Sequence, residues 1–297
     1  MTSSVVRLRH PVAWLDRGAL YCGVGFALYA AVTIRDWWGL ATFSSLLVSF
    51  AIGYFIRETR NVWIAYCIFL VANLALILAS AFDQVDFFVD VTNGVYGNPN
   101  YLGCALALGV AAALGYRMIW LAPPFLYAIW LTQSRTAMLG AGVALAGWAW
   151  RSYKTTAFTF VAAALIGILL SSHGESSIWQ RVGIWQDTLN HLTIFGQGFG
   201  SFYEAYWAFP VHTNIGFLRA GHAYNDYLEL IFELGIGSML LWIFIARVLS
   251  TEDTRLHLIL YTYFALALTY FPLFVWPIGQ LVAFTLGHLT KEARWQL

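Results

Sequence analysis

Apolar segments recur along this chain at residues 18–34, 37–56, 62–80, 101–116, 118–132, 136–150, 156–171, 227–249, 256–271 and 273–288, and most of its charge falls between them. A helix of about 20 such residues crosses the hydrocarbon of a bilayer with every backbone N–H and C=O satisfied internally. Several segments fall short of that length, which sets the expectation at about ten transmembrane helices. Charged residues make up 10% of the chain and hydrophobic ones 60%, where soluble domains carry about 25% charge. The expected fold is an all-α integral membrane protein, a single polytopic domain over residues 1–297. The Pro123-Pro124 pair should bend the segment at 118–132, because proline removes a hydrogen bond from the helix.

Lysine and arginine gather in cytoplasmic loops, so their distribution sets the orientation. With both termini in the cytoplasm, all 16 basic residues fall inside except Arg35, Arg135, Arg181 and Arg219. Those four mark places where a positive charge serves something other than topology. A net charge of +1 with no basic stripe sets aside nucleic acid as a partner. Cys22, Cys67 and Cys104 lie within apolar segments and read as small packing residues, with neither a disulfide framework nor a metal site. The first apolar run follows Arg7, Arg9 and His10 without a clear small-residue cleavage site, so it is expected to act as a signal anchor.

Two outer stretches exceed the length of a turn. Residues 82–100 carry Asp83, Asp86 and Asp90 and no basic residue; residues 171–225 form one long periplasmic loop with His173, His191, His212 and His222. Loops beyond about 15 residues in a compact protein are usually functional or disordered, and this one is too aromatic to be disordered. Within it Ile178, Val182, Trp185, Leu189 and Leu192 repeat at spacings of four and three, the stripe of an amphipathic helix lying in the membrane interface. The following Gly196-Gln197-Gly198-Phe199-Gly200 has no strand before it and so is no dinucleotide fingerprint. It is expected to be a flexible elbow leading to the aromatic stretch 202–209.

Three segments have readable helix starts. Asn98 with Pro99, Ser134 before Arg135, and Asn225 before Asp226 are N-cap signals. In the derived topology all three helices run inward from the outer face, so their N-termini, each equivalent to about half a positive charge, point outward together. Arg135, Arg181 and Arg219 would add donors to make an anion-binding cup. A planar guanidinium holds phosphate oxygens bidentately, and no Asp-rich metal set accompanies it, so the site is expected to work without a metal or other cofactor. His222 beside the helix start is the candidate base, since that position disfavours the imidazolium. Asp226 and Glu229 fall in the first turn, where carboxylates complement the dipole whatever the function.

Three patches carry a family likeness: YGNPNYLG at 96–103, SRTA at 134–137, and HAYNDYLELIFELGIGSMLLW at 222–242, with RVGIWQDTL and FGQGFGSF between the last two. Through them the chain resembles the O-antigen ligase and O-antigen polymerase superfamily of bacterial envelope glycosyltransferases. The likeness covers about two thirds of the chain. It implies a metal-independent enzyme of the cytoplasmic (inner) membrane that moves a glycan from undecaprenyl diphosphate to an acceptor hydroxyl at the periplasmic face, usually with inversion. The acceptor would be lipid A-core, another glycan or a protein. The resemblance implies that Arg135 and Arg181 hold the diphosphate and that His222 deprotonates or orients the acceptor, with Arg219, Asn225 and Asn98 as secondary residues. Family members often carry a second histidine where this chain has Tyr224, which leaves His222 as the base candidate. The reading from another class is a membrane transporter or anion-binding protein of the same superfamily, which should show ionisable residues deep in the membrane or broken helices.

Overall fold

The computed structural model describes residues 13–34, 36–81, 96–150, 175–208, 220–250 and 253–295. Among these the chain is all helical: α1 (Ala13–Thr33), α2 (Trp37–Phe55), α3 (Arg60–Ala81), α4 (Pro99–Gly115), α5 (Ala122–Thr132), α6 (Arg135–Ala149), α7 (Glu175–Asn190), α8 (Phe202–Ala208), α9 (Asp226–Leu234), α10 (Ser238–Val248), α11 (Thr254–Ala267) and α12 (Ile278–Trp295). The apolar segment at 156–171 lies outside the described residues. Among the described residues two stretches are long and apolar enough to cross a membrane, α2 and the combined α9 and α10, Asp226–Val248.

The core is organised around α4. Every residue from 102 to 114 is buried, and the helix packs against α3, α5, α6 and α11. An alanine- and glycine-rich sequence makes this possible, since small side chains let helices approach closely. A Cβ on Gly109 would come within 2.5 Å of Leu70, and one on Gly140 of α6 within 2.5 Å of Leu266. The α2 and α12 pair is tighter still. A Cβ on Gly53 would sit 1.9 Å from the Phe284 carbonyl oxygen, and one on Gly287 2.0 Å from that of Phe50.

Helix α2 buries only Gly39 and Gly53, while Trp37, Trp38, Leu47, Val48, Ile52 and Phe55 stand exposed. Helix α7 has the same inverted character. Ile184, Asp187 and Thr188 face the protein, and Trp179 and Leu189 face away from it. The predicted apolar stripe therefore lies partly on the outer side of α7, with polar groups turned inward.

Three local expectations change. Pro123 and Pro124 bend no helix, because α5 begins at Ala122 and the two prolines occupy its first turn, where N–H groups have no partner in the helix. The segment at 227–249 is two helices, broken at Gly235–Gly237 by a 3-10 turn. The glycine run at 196–200 is a fastened turn and not a flexible elbow. Gly196, Gly198 and Gly200 all have positive φ, and the N–H groups of Gln197 and Gly198 donate to the carbonyls of Phe232 (3.1 Å) and Glu233 (2.7 Å). The orphan carbonyls at the α9 break are thus satisfied by the glycine turn, whose backbone approach a side chain would block: a Cβ on Gly196 would lie 2.2 Å from Glu233 O.

Candidate functional site

The turn that follows α11 gathers the elements of the site. Its carbonyls accept from the start of α9 and from α7: Leu268 O from Nδ2 of Asn225 at 3.1 Å, Tyr270 O from the Asp226 N–H at 3.1 Å, and Thr269 O from Nη1 of Arg181 at 2.8 Å. Thr136 of α6 joins through a 3.0 Å hydroxyl contact with Thr269. Residues far apart in sequence thereby meet on one short loop.

Asn98, Ser134 and Asn225 are N-caps, their side chains accepting from the N–H groups of Asn100 (2.8 Å), Ala137 (3.3 Å) and Leu228 (3.0 Å). The Ser134 hydroxyl also donates to Asn100 Oδ1 at 2.9 Å, tying the starts of α4 and α6 together. A left-handed Gln133, φ 52°, makes the sharp reversal from α5 into that start. Each cap uses one first-turn N–H; the helix dipole remains.

Arg135 is the half-buried first residue of α6, and Arg181 is half-buried on α7. The Arg181 guanidinium carbon lies 5.3 Å from the Tyr224 ring centre and 6.0 Å from that of Tyr270. Burial pushes its pKa down, the Tyr270 and Tyr224 hydroxyls oppose this, and Arg135 adds to the lowering. Arg181 stays charged, because arginine starts so far above neutrality.

His222 stands on the other side of a ring stack. Its imidazole lies on Phe271, centroids 4.0 Å apart and planes at 17°, and Tyr270 stacks on Phe271 at 4.4 Å and 23°. Two parallel neighbours so close to one ring must occupy its opposite faces. Arg181 therefore lies at the Tyr270 end of the stack and His222 at the Phe271 end, so the two do not share one open cup. Arg219, His173 and His212 lie outside the described residues, and His191 Nδ1 is 2.7 Å from the Asp187 carbonyl one turn back.

Sequence reasoning missed the partner of His222. Its Nδ1 is 2.7 Å from Glu229 Oε1, and Glu229 Oε2 accepts the Ala223 N–H at 2.8 Å. Glu229 is fully buried, and Trp185 of α7 pins the other side of the Ala223 peptide by donating to its carbonyl at 2.8 Å. The chain held only part of a signal: Glu229 is the fourth helical residue, which a staple would pair with Tyr224 just before the cap, whereas His222 lies three residues before the cap, outside that pattern. The Tyr270 and Phe271 stack had no local signal either. Asp226, also buried, accepts from the Tyr263 hydroxyl (2.9 Å) and the Leu273 N–H (3.0 Å) and so holds α9 to the same loop. No family model and no curated protein matches this chain.

Proposed function

We propose that the protein is a polytopic membrane glycosyltransferase of the O-antigen ligase or polymerase kind, acting on a glycan carried by undecaprenyl diphosphate at the periplasmic face of a bacterial inner membrane. The observation that carries the reading is a histidine with a buried carboxylate on Nδ1, at one end of a ring stack whose other end is met by Arg181. The exposed apolar face of α2 and the outward Trp179 and Leu189 of α7 support the membrane setting, since water tolerates few such surfaces.

Arg135 and Arg181 would hold the diphosphate, where fixed positive groups in a site of low dielectric stabilise a leaving anion. Glu229 accepts from Nδ1–H of His222, which fixes the tautomer with Nε2 free as the proton acceptor. The acceptor hydroxyl gives its proton to Nε2 as its oxygen bonds the anomeric carbon; the bond from that carbon to the diphosphate oxygen breaks, and the polyprenyl diphosphate leaves with the electron pair. The reacting carbon would lie at the edge of the ring stack, between its two ends.

The test is transfer by purified protein from a polyprenyl-diphosphate-linked glycan to a panel of lipid A-core, glycan and peptide acceptors, with EDTA present. Transfer should persist in EDTA, and His222→Ala should lower it by about 10² to 10⁴. Loss of transfer on chelation would overturn the metal-independent mechanism, and an unimpaired His222→Ala would overturn the base.

One observation favours a second reading. Glu233 is fully buried beside the break at Gly235–Gly237, its Oε1 accepting the Phe202 N–H at 3.0 Å, the Gly200 N–H also directed at the carboxylate, and its Oε2 without a close hydrogen bond among the described residues. A buried carboxylate at a broken helix is a feature of ion-coupled transporters. Proton-dependent anion uptake by proteoliposomes, abolished in Glu233→Gln, would establish that reading against the first.

A further inference from the structure

A cavity of about 300 Å³ opens beside His222, lined chiefly by Tyr96, Tyr101, His222, Phe274 and Trp276. We propose that it is a sugar subsite taking one neutral pyranose ring, and that the ring belongs to the acceptor. The proposal rests on the transferase reading for the ring's role, and on the cavity itself for its chemistry.

Charge gives the first argument. Among the described residues neither an arginine nor a carboxylate lines this cavity, whereas Arg181 lies over Tyr270, the ring of the stack farther from His222. A diphosphate belongs with the arginines, and the ligand that fits here is uncharged. Shape and polarity give the second. A pyranose presents apolar C–H faces and a rim of hydroxyls, which calls for flat aromatic walls interrupted by a few polar groups. The walls here are aromatic rings, those of Tyr96 and Tyr101 among them, and the imidazole of His222 supplies a polar edge. By contrast the cavity between α1, α2, α10 and α12, lined by residues such as Val24, Leu46, Leu47, Leu241, Phe244 and Leu286, offers a wall of aliphatic and aromatic carbon that suits a hydrocarbon chain. The two cavities are chemically distinct.

Size and rigidity narrow it further. At about 300 Å³ the cavity is at the small end of ligand sites, room for one ring and not for an oligosaccharide. Its walls are already set: Tyr101 packs edge-on to Tyr270 (5.8 Å, 61°) and to Phe271 (5.9 Å, 84°), and Tyr96 edge-on to Phe69 (6.3 Å, 77°). Pre-set rings cost little ordering entropy on binding. Because Glu229 occupies Nδ1 of His222, the nitrogen left for a ligand hydroxyl is Nε2. A pyranose held on these walls therefore meets the group that would take its proton.

The test uses the full-length protein in detergent, with methyl glucoside, methyl galactoside and methyl mannoside as probes. Saturation-transfer NMR should show at least one of them bound through its ring protons, and the signal should fall at least fivefold in Tyr101→Ala and in Trp276→Ala. Trp276 is 70% exposed, so its removal leaves the fold intact. In the transfer assay the same variants should raise acceptor KM about tenfold or more and leave donor KM unchanged. Binding that persists undiminished in both variants, or no binding by any probe, would overturn the subsite. A rise in donor KM alone would assign the ring to the donor glycan and overturn the acceptor assignment. Sugar binding lost in the variants, with no transfer by the wild-type protein, would leave the subsite standing and remove the transferase.

Discussion

Glu229 occupies the fourth position of α9, where an exposed carboxylate gains about 0.3 to 1 kcal/mol from the helix dipole. That is too little to account for full burial, which costs several kcal/mol for an unpaired ion. The two hydrogen bonds to His222 and to the Ala223 N–H supply what the dipole does not, and they tie the side chain to the histidine's tautomer. Glu229→Gln keeps the shape and removes the charge, and an amide can present its N–H to Nδ1 and reverse the tautomer. On the proposed mechanism kcat then falls by about 10² or more with donor KM unchanged, measured by steady-state transfer kinetics. Arg181 offers a parallel case. Its guanidinium donates to Thr269 O while lying over the Tyr224 and Tyr270 rings, and a lysine ammonium cannot reproduce a planar donor in that position. Arg181→Lys should raise donor KM and lower kcat, whereas Tyr224→Phe, which keeps the ring at its left-handed φ of 53°, should change donor KM less than threefold. Equal behaviour of the two variants would show that the charge alone matters.

At the scale of helices, the contact between α2 and α12 rests on Gly53 and Gly287. Replacing a helical glycine with alanine gains about 1 kcal/mol of propensity, but here the added carbon would meet a backbone carbonyl at 1.9 or 2.0 Å. Backbone cannot step aside as a side chain can, so the clash wins. Gly53→Val and Gly287→Val are expected to destabilise by about 1 to 3 kcal/mol or more, seen as a lower Tm in detergent, while Gly97, whose Cβ would meet nothing within 4 Å, tolerates Asn at its positive φ. Helix identity was legible from the chain because length, apolarity and N-cap chemistry are local. Asn98, Ser134 and Asn225 could be read as caps for that reason. The break at Gly235–Gly237 was less legible, because ELGIG reads as a tolerable glycine pair within an apolar run. Its stabilisation comes from the glycine turn at 196–200, which supplies N–H groups from elsewhere in the chain.

For the whole molecule, the distribution of exposed carbon is the feature to test. Trp37, Leu47, Val48, Ile52 and Phe55 cover the outside of α2, and Tyr127 and Trp130 the outside of α5, with Trp120 exposed in the turn before it. Single cysteines at Leu47 and Val48, in a background where Cys22 is serine, should react slowly with a membrane-impermeant thiol reagent in proteoliposomes and quickly with a lipid-soluble one. A cysteine at Gly97, by the start of α4, should react from the side proposed as periplasmic. Fast aqueous labelling at positions 47 and 48 would contradict the bilayer setting.

Sequence by itself determined the helical class, the order of the helices and three of their starting residues, because hydropathy, periodicity and capping act within a turn or two of the chain. It also singled out Arg135, Arg181 and His222, through charge asymmetry and position at helix starts. Tertiary structure alone decided how those residues relate. It set Glu229 on His222, seated Arg181 on Thr269, and placed Tyr270 and Phe271 between Arg181 and the histidine. Those relations depend on where the loop after α11 lies against α4, α6, α7 and α9, and that placement follows from packing among small and aromatic side chains distant in sequence, for which no local pattern exists.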